Sequence, residues 1–210
     1  MPITFAEPYQ PWSLLEPGLF SLSLILMHEK RYYFLFPVLI LATLNRATAV
    51  FIPIMFFLVH LDIQDGFKVW VPVFFKKYFL KVVILFLIWM GVRGSLWLIL
   101  GKGDEWVKPL EEIFLQNISW EYLRMASIKI SIFFGACWFF AILGFKTAPT
   151  FIKRASLVIP IYLFVIGVWG IWIEIRLLTP LYPLLTALML SFVYPGSANK
   201  NSSLKGSSPS

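Results

Sequence analysis

Thiol and imidazole are almost missing from this 210-residue chain. Its one cysteine, Cys137, lies inside an apolar run, so an internal disulfide is excluded and no Cys/His spacing offers a metal site. The two histidines, His28 and His60, each end an apolar run, where an interfacial position is the ordinary expectation. No metal and no cofactor is therefore expected. Charge is scarce as well: 14% of residues are charged, against about 25% in soluble domains. The formal net charge of +7 does not point to nucleic acid, because the basic residues sit between apolar runs as loop charge. Residues 1–11 hold Glu7 and neither Lys nor Arg, so the positive region that opens a cleavable signal peptide is lacking.

What the chain has instead is apolar and aromatic surface. Hydrophobic residues make up 59% of it, and mean hydropathy is +0.79. That excess is too large for one water-facing core and is spread along the whole length, which excludes a soluble domain with a single anchor. Nine Trp among 18% aromatics suit long membrane borders, where Trp and Tyr sit at headgroup level. The apolar runs are Trp12 to Met27, Tyr32 to Leu61, Tyr78 to Leu100, Ile128 to Phe145, Ala155 to Ile173 and Leu177 to Val193.

The run from Tyr32 to Leu61 is interrupted only by Asn45-Arg46. One helix would be about 45 Å long and would carry Arg46 near the bilayer centre. Two short helices would break at Asn45, a good N-cap for the second of them. Loop charge favours the break. With it, one side of the membrane receives eleven of the eighteen Lys and Arg against three acids, and the other receives seven against eight. The positive-inside rule then makes the first side cytoplasmic. The expectation is an all-α polytopic bundle of about seven membrane segments, two of them short, with the N-terminus outside and the C-terminus inside. A bacterial inner membrane is its expected location.

Residues 1–194 read as one integral membrane domain. Residues 62–77 mix Phe67, Trp70, Phe74 and Phe75 with Lys68, Lys76 and Lys77, the pattern of an amphipathic segment at the cytoplasmic surface. Residues 102–124, with Trp106, Glu111, Glu112 and Trp120, read as a second interfacial stretch, on the outer side. Residues 195–210 are rich in Ser, Asn, Lys and Gly and read as a disordered polar tail. No internal repeat is evident, which weakens a transporter reading.

In this topology the polar residues nearest the membrane gather on its outer half: Glu16, Asn45, Arg46, Arg93, Asp104, Glu105, Glu174 and Arg176. A charge within a membrane segment costs several kcal/mol unless it is paired or hydrated, so each is a candidate for function. Arg46 is the sharpest. It would hold a phosphate or carboxylate in an outward-facing cavity, or else pair with Glu174 or Glu16 and fix the bundle. Arg93 would join the first role or snorkel to the interface. Asp104 and Glu105 follow Gly101-Lys102-Gly103, which lacks the helix pattern of a dinucleotide-binding turn. Asn117-Ile118-Ser119 matches a glycosylation sequon, a pattern short enough to arise by chance.

Three stretches carry a resemblance. They are Tyr9-Gln10-Pro11-Trp12-Ser13-Leu14, then Leu41 to Ala49 around the break, and Glu174-Ile175-Arg176 leading to Pro180 and Pro183. Together they resemble the C-terminal half of uncharacterised bacterial polytopic membrane proteins whose break reads Asn-Arg-Glu-Thr. That group is similar to the GT-C superfamily of glycosyltransferases, which take sugar from a polyprenyl-phosphate donor at the outer face. The resemblance implies that Arg46, Arg93, Arg176 and Asn45 would contact the lipid-linked phosphate, with Glu16 or Glu174 as the catalytic base or a cation-holding acid. Ala47 departs from it, standing where the pattern has Glu. The superfamily's outer-loop acid comes after a first span that nothing upstream of Trp12 supplies, so a partial or degenerate member is the expectation. Two other functions fit the same residues. One is a non-catalytic scaffold or complex subunit with interhelical charge pairs. The other is a small-molecule transporter, which the one-sided polar distribution disfavours.

Overall fold

The computed structural model describes residues 15–61, 72–101, 110–169 and 175–195, and among them every regular element is helical. In chain order these are α1 (Leu15–His28), α2 (Tyr32–Asn45), a 3₁₀ turn (Ala47–Val50) and α3 (Phe51–Val59). The long helix α4 (Pro72–Leu100) is next. Then come α5 (Leu110–Ile118), α6 (Trp120–Phe134), α7 (Cys137–Gly144), α8 (Thr150–Ser156) and α9 (Val158–Trp169). A second 3₁₀ turn (Ile175–Leu181) leads into α10 (Tyr182–Val193).

The corner between α1 and α2 is a Schellman turn. Arg31 N–H donates to the Leu26 carbonyl at 2.9 Å and Lys30 N–H to the Met27 carbonyl at 3.2 Å, which satisfies two of the orphan carbonyls of α1. Lys30 occupies the left-handed position, with φ 59°. Glycine takes that conformation without a Cβ penalty; lysine does not.

The run from Tyr32 to Leu61 folds back on itself. Helix α2 stops at Asn45, Arg46 is extended (φ −154°, ψ 152°), and its N–H still closes the last turn onto the Ala42 carbonyl at 2.8 Å. Thirteen residues beyond, α3 ends, and Tyr32 meets His60 with Oη 2.9 Å from Nε2. The start of α2 and the end of α3 are therefore neighbours, and Asn45-Arg46-Ala47 is the tip of a helical hairpin. The core of the bundle lies here: Leu35, Leu39, Ile52, Met55 and Phe56 are fully buried, together with Tyr162 of α9.

Helix α4 runs alongside, parallel to α2. At one end Lys81 lies over the Tyr32 ring, 4.5 Å from its centroid. Further along, Trp89 Nε1 donates to the carbonyl of Ala47 at the hairpin tip, at 3.2 Å. The tip is thus level with Trp89, and eleven more residues of α4, about 16 Å of helix, continue past it.

Among the described residues two helices are long and apolar enough to cross a membrane, Pro72–Leu100 and Thr150–Val168. A third span is counted if α6 and α7, bent by 80° at their junction, are taken together. The bend falls at Gly135, whose φ is 54°. The remaining apolar runs form helices of 10–17 residues. Exposed apolar side chains coat the outside, with Leu98, Ile99 and Leu100 each about three-quarters exposed. A surface of this kind suits contact with lipid or with other apolar chains rather than with water.

Residues 72–77, the end of the stretch read as interfacial, are continuous with α4; residues 62–71 lie outside the described residues. Of the stretch 102–124, residues 110–124 belong to α5 and α6, and residues 102–109 lie outside. Asn117 is buried and donates through Nδ2 to the Gly167 carbonyl at 2.9 Å. Its amide fastens α5 to α9 and is not an accessible glycosylation acceptor.

Candidate functional site

The hairpin tip is pinned by a buried carboxylate. Glu16, in the first turn of α1, is 3% exposed. Its Oε2 lies 3.2 Å from Arg46 Nη1, and the Arg46 side chain is itself only 15% exposed. The hydroxyl of Thr48 donates to Oε1. Thr179, in the 3₁₀ turn before α10, donates to Oε2 at 3.5 Å. One carboxylate thereby ties three parts of the chain: the start of α1, the hairpin tip and the approach to α10.

The surroundings give this pair its strength and its cost. Above it, Tyr162 of α9 donates its hydroxyl to the Leu177 carbonyl, fastening the same 3₁₀ turn to the core. Phe51 packs against the Tyr162 ring, centroids 4.3 Å apart. Removing a carboxylate and a guanidinium from water costs several kcal/mol per ion, and their attraction repays this only with further hydrogen bonds. The two threonines supply those bonds. A carboxylate that accepts three donors while almost fully buried is well placed to hold structure and poorly placed to take a proton from a substrate.

Asn45 stands beside the pair at the end of α2. Its Nδ2 is buried and has no hydrogen-bond partner among the described residues. Arg93 is on α4, one turn beyond Trp89; it is exposed and forms no ion pair among the described residues. The backbone of Arg176 lies in the 3₁₀ turn Ile175–Leu181. Glu174, Asp104 and Glu105 lie outside the described residues, as does the stretch Tyr9 to Leu14. Of the sequence-derived candidates, Glu16, Asn45 and Arg46 are thus brought to one place, and Arg93 is not joined to them.

Thr48, Thr179, Tyr162 and Trp89 belong to the cluster and were not read from the sequence. Hydroxyls in apolar helices usually bond back to their own helix, as Ser23 does to Leu19 at 2.8 Å and Thr43 to Leu39 at 2.6 Å. Thr48 has one weak signal: it stands two residues after Arg46, at the break. Among the described residues no group of three or more His, Cys, Asp or Glu is placed to hold a metal ion.

Fold and site together define a protein that is helical throughout its described residues, with two to three helices of membrane-spanning length among them and a buried ion pair at the tip of a hairpin. Comparison with family models, with curated proteins and with solved structures gives no match.

Proposed function

We propose that this chain is a multi-pass protein of a bacterial inner membrane, N-terminus outside, in which the Glu16–Arg46 pair is an interhelical pin. It works as a non-catalytic scaffold or subunit of a membrane complex. The observation that carries the reading is the saturation of Glu16: a carboxylate 3% exposed, with Arg46, Thr48 and Thr179 all directed at it. In the scaffold the two charges hold α1, the hairpin and the α10 approach in one arrangement. Neighbouring subunits would then dock on the apolar exterior.

A second reading has one observation in its favour. The buried Nδ2 of Asn45 beside Arg46, without an acceptor among the described residues, suits a degenerate glycosyltransferase-like site for a polyprenyl-phosphate-linked sugar. A double-mutant cycle on Glu16 and Arg46, read both by unfolding and by binding of a polyprenyl-phosphate analogue, separates the two. The scaffold predicts strong coupling in stability and no analogue binding to the parent protein. Saturable binding that Asn45→Ala and Arg46→Ala abolish would overturn it in favour of the lipid-linked donor.

A further inference from the structure

A second polar cluster lies at the opposite end of the hairpin, where α2 begins and α3 ends. There Tyr32, His60 and Tyr78 form a connected aromatic group: Tyr32 and His60 are hydrogen bonded, and the His60 ring lies 4.0 Å from that of Tyr78. Two lysines of α4 are drawn onto it. Lys81 Nζ is 4.5 Å from the Tyr32 centroid and 6.0 Å from that of Tyr78; Lys77 Nζ is 5.4 Å from Tyr78. Neither lysine forms an ion pair among the described residues.

The imidazole does not neutralise them. His60 Nδ1 lies 2.8 Å from the Phe56 carbonyl, which can only accept. In the neutral ring Nδ1 therefore carries the hydrogen, and Nε2 accepts from Tyr32. Ring faces attract an ammonium but leave its N–H groups with capacity for an anion. The backbone adds a separate sign. Over Phe75–Phe79, the segment that carries Lys77 and Tyr78, α4 widens to a π turn, a local irregularity found mostly at functional sites.

The ligand class is set by charge and depth. The acceptor must be an anion that suits two ammonium groups gathered on the Tyr32 and Tyr78 rings near the start of α4. Phosphate meets this description, and headgroup phosphates lie at that level of a bilayer. We propose that Lys77, Lys81 and Tyr78, set on the Tyr32–His60 platform, form a site for a phosphate anion, with anionic phospholipid headgroups as its source. This is independent of the Glu16–Arg46 pin at the other end of the hairpin.

The test uses the full chain in nanodiscs and in detergent, with phosphatidylglycerol and phosphatidylcholine as probes. Native mass spectrometry is expected to show a retained phosphatidylglycerol adduct in preference to phosphatidylcholine. Each interfacial lysine contributes about fivefold, so Lys77→Gln/Lys81→Gln should weaken the adduct about thirtyfold, and Lys77→Arg/Lys81→Arg should retain it. Lys146→Gln/Lys153→Gln removes the same charge from α8 and the loop before it and should leave the adduct in place. Melting temperatures of all three variants, matched to the parent, show that the loss is not misfolding. Displacement of the lipid by millimolar inorganic phosphate supports the site with a soluble source; resistance to it supports the lipid. Equal weakening in both glutamine pairs, or no preference for phosphatidylglycerol and no phosphate binding, overturns the proposal.

Discussion

Gly144→Ala is the sharpest test of how the bundle is packed. Gly144 ends α7, and its backbone lies directly against Leu188 of α10. A Cβ at this position would overlap the Leu188 carbonyl oxygen, lie 2.8 Å from the carbonyl carbon and 3.2 Å from the Phe192 Cβ. Non-bonded heavy atoms settle at about 3.5 Å, and the overlap with the carbonyl oxygen is the tightest, so the two helices must part by more than about 1 Å. Two of the three obstructing atoms belong to the Leu188 backbone, and no rotamer change relieves them. Small residues serve this purpose between membrane helices, where close backbone approach replaces the hydrophobic drive available in water.

The consequence is graded by what lies along that seam. Ala141, Ala148 and Leu188 form a buried cluster, Phe140 stacks on Phe192 at 5.6 Å, and Thr147 Oγ1 donates to the Ser191 carbonyl at 2.8 Å. Forcing a methyl into such packing costs about 1–3 kcal/mol, and loss of the threonine bond adds about 1 kcal/mol. The better helix propensity of alanine returns about 1 kcal/mol at most. The net expectation is a destabilisation of about 1–3 kcal/mol, read as a shift in the detergent-induced unfolding curve of the purified protein. An added Cβ at Gly91 or Gly94 of α4 meets no neighbouring element within 4 Å among the described residues. Their alanine variants should be neutral or slightly stabilised. If Gly144→Ala unfolds together with Gly94→Ala, the close approach of α7 and α10 is wrong.

Other positions give equally direct expectations. Glu16→Gln leaves Arg46 buried beside a neutral amide and should cost about 3–5 kcal/mol, whereas Glu16→Gln/Arg46→Met should recover most of it; an uncoupled, additive result would refute the pin. Lys30→Gly removes the Cβ from a left-handed position (φ 59°) and should raise stability by about 1 kcal/mol, while Lys30→Ala should not. His60 lies just past the end of α3, and burial, reinforced by the charges of Lys81, Lys77 and Arg154, lowers its pKa from the ordinary 6.5 despite the Phe56 carbonyl. A histidine kept neutral in the folded state contributes stability that is complete above pH 6.5 and is lost as pH falls below it, because only the unfolded chain then takes up the proton. Melting temperature should therefore decline below neutrality, and His60→Gln should flatten that decline; an unchanged slope would exclude His60 as its source.

How far the sequence could be read depended on whether the physics was local. The break at Asn45-Arg46 was legible because a charge and an amide interrupt an otherwise apolar run, and a single helix would strand that charge in hydrocarbon. The break at Gly135 was not: it sits in the apolar run Ile128 to Phe145 without a polar neighbour, and an isolated glycine is tolerated inside helices. Composition alone separated Glu16 and Arg46 from their surroundings as costly groups. It could not choose between Glu16 and Glu174 as the partner of Arg46, since that depends on which helix ends the fold brings together. Thr48 and Thr179 were invisible for the same reason, their hydroxyls having a local alternative at every helical position.

Loop charge favoured two short segments over one long helix, but it is blind to depth. A hairpin that crosses the membrane twice and one that dips in and returns both restore the chain to the side it left. Every downstream loop keeps its side in either case, so the Lys and Arg count differs only by Arg46 itself. Depth has to come from a ruler, and α4 is one. Lys81 marks the headgroup level of the proposed phosphate site, and Trp89, which touches the tip at Ala47, lies eight residues further on, about 12 Å of helix. Helix α2, at fourteen residues, is about 20 Å long, against a hydrocarbon thickness of about 30 Å. In the proposed membrane placement both lengths put the tip within the hydrocarbon layer, where an unpaired Arg46 would be costly and where the three donors on Glu16 have their greatest value. Ala47→Cys, exposed at the tip and placed in a Cys137→Ser background, is the direct check. It should resist an impermeant maleimide applied from either side of the membrane and react after detergent solubilisation. Labelling from outside in intact membranes would put the tip at the outer surface and make α2 and α3 complete, if short, spans.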